Sequence, residues 1–288
     1  MYFKNPLTLS YTCRKLSLLC GNPTLPVTVI AKIIYLFFCF VKSNRLTKNE
    51  KNSKITRIYE NEAKNMRMRR KKNLESRLDN CEDLIFSIKD VDKNFRTAIE
   101  TKDYFDFCEL FGNSNPVHME IGCGKGQFIA EIAKRNPDIN YIAVEKSANV
   151  IVQAAEKVKA AGLGNVMFIK GSAEYLPRFI SDKSIGRIYL NFSCPFPKNK
   201  YANHRLTNKA FLELYEMMLS DGAEIHQKTD NMHFFEYSIS ELSDYGFTIK
   251  NVSLDLHNSG FEGNIVTEYE KRFSELGQPI YRLEAFLK

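Results

Sequence analysis

Residues 117–126, VHMEIGCGKG, place an apolar run directly before a turn that contains three glycines. Gly122, Gly124 and Gly126 carry no side chain, so the backbone of such a turn can approach a ligand closely. Glu145 ends the next predicted strand, where a carboxylate accepts hydrogen bonds from ribose hydroxyls. This pattern indicates a cofactor that contains a nucleoside.

The glycine spacing is G-x-G-x-G, whereas dinucleotide oxidoreductases use G-x-G-x-x-G. Glu120 precedes the turn within its strand, and a carboxylate in that place suits a cationic ligand without phosphates. S-adenosylmethionine is such a ligand, because its sulfonium and ammonium groups are positive. A purely structural turn would show the same glycines, so the two acidic residues decide for the cofactor interpretation.

A second polar group follows a later predicted strand, in the sequence NFSCPFPK (191–198) and the residues after it. Two prolines restrict this loop, which is expected at the sheet edge where doubly wound folds bind ligands. Its basic side chains are donors for phosphate or base contacts: Lys198, Lys200, His204 and Arg205. A solvated surface loop is the alternative, and the position at the ligand edge favours the functional interpretation.

These groups require a sheet whose strands end at one edge. From Pro116 onward, short β-rich runs alternate with helical patterns, which predicts an α/β fold with a parallel sheet. The predicted strands are 117–122, 141–145, 166–170, 186–192, 223–229, 247–256 and 280–286.

Helix signals lie between the strands. Ser147 is expected to cap one helix that stops at Gly162, Thr207 to open another, and Asp230 or Asn231 to open a third that ends near Gly246. Residues 258–279 read as a long irregular stretch, which is unusual in a compact domain and marks a candidate functional region.

Composition excludes disordered and fibrous classes, since 44% of the 288 residues are hydrophobic and 26% are charged. The seven cysteines contain no C-x-x-C pair, so neither a disulfide framework nor a paired zinc site is indicated, and a reducing cytoplasm fits best. His233 and His257 have no metal-ligand spacing with other side chains, so we expect no metal.

The net charge of +7 is concentrated at the start of the chain. Residues 1–65 contain 11 Lys and Arg against 3 Asp and Glu, whereas residues 66–288 contain 30 against 31. Within the second part, residues 67–77 hold six basic residues and one acidic residue. Such a basic arm commonly meets phosphate.

The first 65 residues differ in composition from the rest. Their apolar run, 25–41, has 17 residues and an internal Lys32, so it is short for a membrane span and a poor signal peptide. We expect no stable membrane association. The preferred interpretation is that Met66 or Met68 is the real start and that residues 1–65 are a mis-assigned or disordered extension.

Several motifs in order give the chain from Met66 to Lys288 a resemblance to the bacterial tRNA (guanine-N7-)-methyltransferase family. They are RMRRKKNLESRL, EIGCGKGQFI, AVE (143–145), YLNFSCPFPK, HRLT, KTDN (228–231), DLH (255–257), TEYE (267–270) and IYR (280–282). The resemblance implies a Rossmann-like methyltransferase fold, a mostly parallel seven-stranded sheet with an antiparallel last strand. It also implies a basic arm and helical lead-in over residues 66–115 and a methyltransferase domain over residues 116–288.

The implied activity is transfer of a methyl group from S-adenosylmethionine to N7 of guanine-46 in the variable loop of tRNA. Carried over by position, the cofactor contacts are Glu120, Gly122, Gly124, Gly126, Glu145, Ser172 and Cys194. The implied substrate contacts are Lys198, Asp230, Thr267, Glu268, Tyr269 and Glu270. The implied RNA contacts are Lys200, Tyr201, Ala202, Asn203, His204 and Arg205, and the catalytic positions are Cys194 and Asp230.

Two positions depart from the family pattern. Ser172 replaces an acidic residue, and Cys194 replaces the aspartate that is usually assigned the catalytic position. The chemistry tolerates this loss, because guanine N7 has a lone pair and no proton and therefore needs no general base. Catalysis then depends on alignment and on exclusion of water, and we expect slower transfer than in an aspartate-bearing relative.

Two alternatives stay open. One is a tRNA-binding protein of the same fold that has lost catalysis through Ser172 and Cys194. The other is a Rossmann-type enzyme for a small molecule, against which the basic arm and the loop 198–205 speak. The sequence leaves the oligomeric state open between monomer and homodimer.

Overall fold

The computed structural model describes residues 70–89 and 91–287. These residues contain eight strands: β1 (Ile85–Ser87), β2 (Val117–Ile121), β3 (Asn140–Glu145), β4 (Val166–Lys170), β5 (Ile185–Asn191), β6 (Leu219–Thr229), β7 (Thr248–Ser253) and β8 (Tyr281–Phe286). They form one sheet in the order β1-β4-β3-β2-β5-β6-β8-β7. Every neighbouring pair is parallel except the two pairs that β8 makes with β6 and β7. The predicted α/β sheet with an antiparallel last strand is therefore confirmed.

The same residues contain nine α-helices and three short 3₁₀ helices. The α-helices are α1 (Leu74–Asp79), α2 (Phe95–Ala98), α3 (Phe107–Phe111), α4 (Gln127–Arg135), α5 (Ala148–Ala160), α6 (Leu176–Phe179), α7 (Lys209–Met218), α8 (Met232–Tyr245) and α9 (Glu268–Glu275). The 3₁₀ helices are Ala173–Tyr175, Asn199–His204 and Leu256–Asn258.

All seven predicted strands are present, with ends that shift by a few residues. The largest shift is in β6, which begins at Leu219 rather than at residue 223. The eighth strand, β1, was not predicted. It has three residues and adds to the outer edge of β4, and so short a run carries no readable alternation.

Most of the predicted helix boundaries hold. Ser147 precedes α5, and Asn231 caps α8, which ends at Gly246 in a left-handed conformation. The assignment of Thr207 as a helix start was wrong: Asn208 caps α7 through its side chain, and the Thr207 hydroxyl is instead buried against that of Ser238. Thr207 is therefore part of the packing between α7 and α8.

The prediction of an irregular stretch over residues 258–279 was wrong in part, because α9 lies within it. Thr267 caps this helix by accepting a hydrogen bond from the Glu270 backbone N–H at 3.0 Å. The sequence T-x-x-E is the signature of a capping box, so the signal for the helix was present. Few apolar residues follow it, and the helical periodicity was correspondingly weak.

Side chains that alternate along the strands pack into two apolar cores, one on each face of the sheet. One core holds Met119 and Ile188 with side chains from α7 and α8. The other holds Tyr141 and Phe168 with side chains from α4 and α5. With both faces covered, the ligand-accessible part of the central strands is their carboxyl ends.

The parallel direction of β2 to β6 brings their carboxyl ends to one edge of the sheet. This edge therefore carries the residues that end or follow those strands: Glu120, Glu145, Ser172, Cys194 and Asp230. Within residues 70–89 and 91–287, no helix is both long and apolar enough to span a membrane. The apolar run 25–41 and the proposed start at Met66 or Met68 lie outside the described residues.

Candidate functional site

A cavity of about 360 Å³ opens at the carboxyl ends of β2 to β5, within the size range of small-molecule sites. Gly122, Glu145, Ser172, Glu174 and Cys194 are among the residues that line it. A smaller cavity of about 190 Å³ lies near β1 and β4 and has a mainly apolar lining. Only the larger one combines polar groups with the glycine turn, so it is the candidate site.

Glu120 supplies a buried carboxylate at the end of β2. Glu120 is 2% exposed, and its Oε1 atom accepts a hydrogen bond from the Asn191 amide at 2.9 Å. Oε2 is buried without a partner among the described residues. Burial raises the pKa of Glu120 to about 7, and the Asn191 hydrogen bond and the Lys228 charge only partly oppose this rise. An unpartnered buried carboxylate oxygen of this kind is suited to a cationic ligand group.

The three glycines of the turn have different roles. All three have positive φ, at 83° for Gly122, 55° for Gly124 and 72° for Gly126, a region that L side chains rarely adopt. A Cβ atom on Gly126 would lie 2.6 Å from the Ala154 Cβ on α5, so this glycine allows close packing. A Cβ atom on Gly122 or Gly124 would meet nothing within 4 Å, so these two leave open space, which we call the glycine cradle, and Gly122 lines the cavity.

The turn is attached to β3, where the second acidic residue lies. The Gly122 and Cys123 N–H groups both donate to the Val144 carbonyl, at 2.8 and 3.0 Å. Glu145 follows directly, is half-buried, and accepts a hydrogen bond from the Ser147 N–H at 2.8 Å. This bond orients the Glu145 carboxylate on the cavity wall, as a ribose contact requires. With Glu120 and the glycine cradle, these groups fit a sulfonium nucleoside with an ammonium group.

Ser172 has a carboxylate neighbour that the sequence interpretation missed. Its hydroxyl donates a short hydrogen bond to Glu174, and both residues line the cavity. The family pattern has an acidic residue at position 172, and this chain carries a carboxylate two residues later, at Glu174. The Ser-x-Glu spacing across the start of a 3₁₀ turn was the available signal, since such a turn folds position 174 back toward position 172.

The loop that holds Cys194 has an unusual backbone. Phe192 and Phe196 both have positive φ, at 52° and 40°, which costs on the order of 1–3 kcal/mol for a bulky residue. Cys194 lies between them as an exposed free thiol that lines the cavity. Strain of this kind persists only where the surroundings hold the loop in place.

Arg205 is the residue that holds this loop. We expected it to contact RNA, but its guanidinium group is turned inward, and the residue is 8% exposed. Nε donates to the Pro195 carbonyl at 3.0 Å, Nη2 donates to the Phe196 carbonyl at 3.0 Å, and the guanidinium lies 4.3 Å from the Tyr237 ring centroid. Arg205 therefore supports the loop from within.

The other expected RNA contacts lie on the surface of the following turn. Lys200, Tyr201, Ala202, Asn203 and His204 belong to the 3₁₀ helix Asn199–His204, in which only Ala202 is half-buried and the others are exposed. Lys198 directly precedes this helix and is exposed as well. Their accessibility is compatible with an RNA contact, which stays a prediction for each of them.

Residues 258–279, which we call the late segment, contact the glycine turn. The Glu268 N–H donates a short hydrogen bond to the Gln127 side chain, and Lys125 Nζ lies 3.5 Å from Glu268 Oε2. The Tyr269 ring lies 5.2 Å from that of Phe192, at the start of the Cys194 loop. Of the expected substrate contacts, Glu268 therefore lies beside the glycine turn and Tyr269 beside Phe192, which lines the cavity, and Thr267 directly precedes them.

Glu270 has a different environment from the one expected of a substrate contact. Its side chain is fully buried, and Oε2 accepts a hydrogen bond from Lys228 Nζ at 2.8 Å. Oε1 accepts one from the Asn264 amide at 2.6 Å and lies 3.1 Å from His257 Nε2. This carboxylate is engaged inside the protein. Asp230 directly follows β6 and is half-buried.

A second acidic cluster lies on the sheet itself. One ligand atom each from Glu224, His226 and Glu284 lies within 4.8 Å of the others, a spacing that a metal ion could use. Lys250 and His226 hydrogen bond to Glu224, and Arg282 pairs with Glu284. Burial alone would raise the pKa of Glu224, but these hydrogen bonds lower it to about 2. Because basic side chains already neutralise the carboxylates, we assign no metal to this cluster.

Comparison with known proteins gives concordant results. A family model described as "Putative methyltransferase" matches residues 114–283. A tRNA (guanine-N(7)-)-methyltransferase of Bacillus velezensis is 54% identical over 175 residues, which cover 61% of this chain and 81% of that protein. The protein of the same name from Bacillus subtilis is 52% identical over 61% of this chain and 82% of its own. Among solved structures, the 16S rRNA methyltransferase KamB aligns at 16% identity and a TM-score of 0.49, over 65% of this chain and 95% of that one.

The two roles of the glycines predict different effects of the same substitution. Gly126→Ala should destabilise the fold by about 1–2 kcal/mol for the left-handed backbone and by a further ~1–3 kcal/mol for the overlap with Ala154. Gly124→Ala should cost only the first amount, yet it should weaken binding of S-adenosylhomocysteine because its methyl group enters the cradle. Urea unfolding and calorimetric titration measure the two effects. Equal stability loss and equal binding by both variants would contradict the division of roles.

Glu120 predicts a pH-dependent affinity. Its pKa in the free protein is about 7, and only the ionised carboxylate attracts an ammonium group. Binding of S-adenosylhomocysteine should therefore strengthen as the pH rises toward about 7, level off above it, and release a proton below it. The Glu120→Gln variant should bind more weakly and without this slope. Calorimetry in buffers of different ionisation enthalpy measures the proton release, and a wild-type affinity that is flat from acid to neutral pH would refute the assignment.

The same raised pKa has a consequence for stability. Because the unfolded carboxyl loses its proton at a lower pH than the buried one, the free protein should lose stability as the pH rises from the usual glutamate range to about 7. The penalty should be fully present above that pH and absent in Glu120→Gln. Urea unfolding of both proteins across this range gives the control for the binding experiment.

Proposed function

The chain belongs to the tRNA (guanine-N(7)-)-methyltransferase family, and on that premise we propose that it transfers a methyl group from S-adenosylmethionine to N7 of a guanine in tRNA. We further propose guanine-46 of the variable loop as the target and the cytoplasm as the location. The observation that carries the proposal is the buried, unpartnered Glu120 oxygen two residues before the glycine cradle, at the carboxyl edge of the sheet.

The residues present suit the cofactor in four places. Glu120 would hold the ammonium group, Gly122 and Gly124 would admit the methionine part close to the backbone, and Glu145 would hold the ribose hydroxyls. Ser172 with Glu174 would face the base. When bound, S-adenosylmethionine supplies an electrophilic methyl group on a sulfonium sulfur.

The methyl transfer requires little acid–base catalysis by the protein. The N7–carbon bond forms from the N7 lone pair as the sulfur–carbon bond breaks, and the electron pair of that bond stays on sulfur. No proton leaves N7, so a general base is not required, and an exposed thiol at residue 194 is compatible with the reaction. The contribution of the chain is alignment of the guanine in line with the methyl group, together with exclusion of water.

Carboxylates of the protein near the cavity would align the guanine. A carboxylate accepts hydrogen bonds from the N1 and N2 groups of guanine, and Asp230 and Glu268 are the candidates, since Glu270 is buried. Glu268 is exposed on the segment that touches the glycine turn. We assign Glu270 to the support of this segment and not to the substrate.

The basic arm offers a way to hold RNA phosphate beside the site. The Lys71 N–H donates to the Asn149 side chain at 2.9 Å, near the start of α5. Arg77 makes two hydrogen bonds to Glu156 on the same helix, at 2.6 and 2.5 Å. The part of the arm after residue 70 is thus attached to α5, whose first residues follow the proposed ribose contact Glu145. Residues 67–69 lie outside the described residues.

Methyl transfer by the full chain to a tRNA transcript without modified nucleosides tests the function. Nucleoside mass spectrometry should show N7-methylguanosine, and ribonuclease mapping should place it in the variable loop. The matched control is a transcript with 7-deazaguanine at position 46, which has carbon in place of N7 and should accept nothing. Salt-sensitive binding without transfer would favour the alternative of a tRNA-binding protein, and absence of both would favour a small-molecule enzyme.

Cys194→Asp tests whether this position lacks a useful carboxylate. We expect faster transfer by about tenfold, the size of one hydrogen bond to a charged group. Cys108→Asp is the matched control, because Cys108 is also an exposed free cysteine but lies on α3. Single-turnover rates with saturating tRNA give the comparison, and an unchanged or lower rate in Cys194→Asp would reject the idea.

A further inference from the structure

The late segment is held by a buried ammonium group. Lys228, near the end of β6, has a side chain that is 8% exposed. Its Nζ donates to Asn264 Oδ1 at 3.0 Å, to the Ile265 carbonyl at 2.9 Å and to Glu270 Oε2 at 2.8 Å. An ammonium group has three N–H donors, so all of them are used, and all three acceptors belong to the late segment.

Glu270 completes the network from the other side. Its second oxygen accepts from the Asn264 amide, and its backbone N–H donates to the Thr267 hydroxyl that caps α9. The start of α9 and residues 264–265 are therefore tied to one point of the sheet. That point is two residues before Asp230, so the network fixes Asp230 and Glu268 relative to each other.

Lys228 also touches the other two parts of the site. Its ammonium lies 5.6 Å from the Phe128 ring centroid on α4, just after the glycine turn, and 5.8 Å from that of Phe192. The Lys228 carbonyl accepts a hydrogen bond from the Phe192 N–H at 2.8 Å. The glycine turn, the Cys194 loop and the late segment thus meet at this side chain.

A buried lysine and glutamate pair is a poor source of stability, because desolvation of both ions offsets their attraction. Apolar residues of similar volume often replace such a pair without loss of stability. A fully hydrogen-bonded pair does, however, permit only one arrangement of the segments that it joins.

We propose that Lys228, paired with Glu270, is a positioning residue for methyl transfer. The pair holds the late segment in one position, and from this position the protein carboxylates of Asp230 and Glu268 align the guanine. This inference rests on the proposed function. It assigns no contact with substrate to Lys228 itself, which acts through Asp230, Glu268 and Tyr269. The pair therefore controls the orientation of the acceptor guanine and not the affinity for tRNA.

The double variant Lys228→Met/Glu270→Leu tests the proposal, since it removes both charges and keeps their volume. We expect a thermal midpoint near that of the wild type, because the removed ion pair contributes little stability while Asn264 and Ile265 lose hydrogen-bond partners. Because the Lys228 charge favours ionisation of Glu120, affinity for S-adenosylhomocysteine is compared well above neutral pH, where this carboxyl is ionised, and there it should be retained. The kcat for tRNA should fall by about 100-fold, the effect expected of a small misplacement of reacting groups, while the KM for tRNA stays near the wild-type value.

A matched control removes a charge pair far from the late segment. Arg178→Met/Asp103→Asn breaks the ion pair between the lead-in and α6 and should leave kcat unchanged. Asn264→Ala is a milder second variant at a half-buried residue. It removes one hydrogen-bond acceptor for Lys228 and one hydrogen-bond donor to Glu270. It should fold in any case and lower kcat in the same direction with an unchanged KM.

The outcomes separate the two levels of inference. If the wild type transfers no methyl group, the proposed function fails and the variants are not needed. If the wild type is active and the folded double variant keeps its kcat, the pair is only structural and the positioning role is overturned. A loss confined to KM, in the double variant or in Asn264→Ala, would also overturn it, because the late segment would then be an RNA-binding surface.

Discussion

The site depends on how one buried positive charge is shared between two buried carboxylates. The Lys228 charge attracts both Glu120 and Glu270, and its hydrogen bonds go to Glu270 and the late segment. Glu120 receives only the amide of Asn191 and a more distant attraction. The Glu120 carboxyl is therefore incompletely neutralised when it ionises, at the end of β2 beside the glycine turn, and its pKa is raised accordingly. Burial of such a charge is unfavourable, and a cationic ligand relieves it.

Backbone geometry sets where that ligand can lie. The parallel strands β2 to β6 end at one edge, and the turn after β2 is tied to the end of β3 through the Val144 carbonyl. Gly126 lets α4 and α5 pack closely, while Gly122 and Gly124 leave the open cradle. On the other side, Arg205 keeps the Cys194 loop in a strained conformation. The cavity is thus enclosed by elements whose positions are fixed from within the protein.

The sequence predicted those parts of the fold that depend on local pattern. Apolar alternation located seven strands, and Asn231 and Gly246 marked α8. It could not show β1, which exists because β4 offers an unpaired edge, nor the inward turn of Arg205. The family resemblance implied that Glu270 meets the substrate, yet burial and the partner Lys228 decide its role, and both are set by segments far apart in the chain. Glu174 was missed because only residue 172 was compared with the family pattern. A side chain two residues later that contacts Ser172 was not considered.

The departures at residues 172 and 194 are of different kinds. At residue 172 the chain keeps a carboxylate in the cavity, because the Ser172 hydroxyl donates a hydrogen bond to the Glu174 carboxylate. The charge has moved along the chain but has stayed in the site, so this position does not by itself argue for lost catalysis. At residue 194 no such replacement is visible within the loop, and the backbone there is held rigidly by Arg205. A methyl transfer to N7 needs placement more than proton transfer, and a rigid loop preserves placement when the carboxylate is absent. The geometry therefore favours a working but slower enzyme over a binding protein.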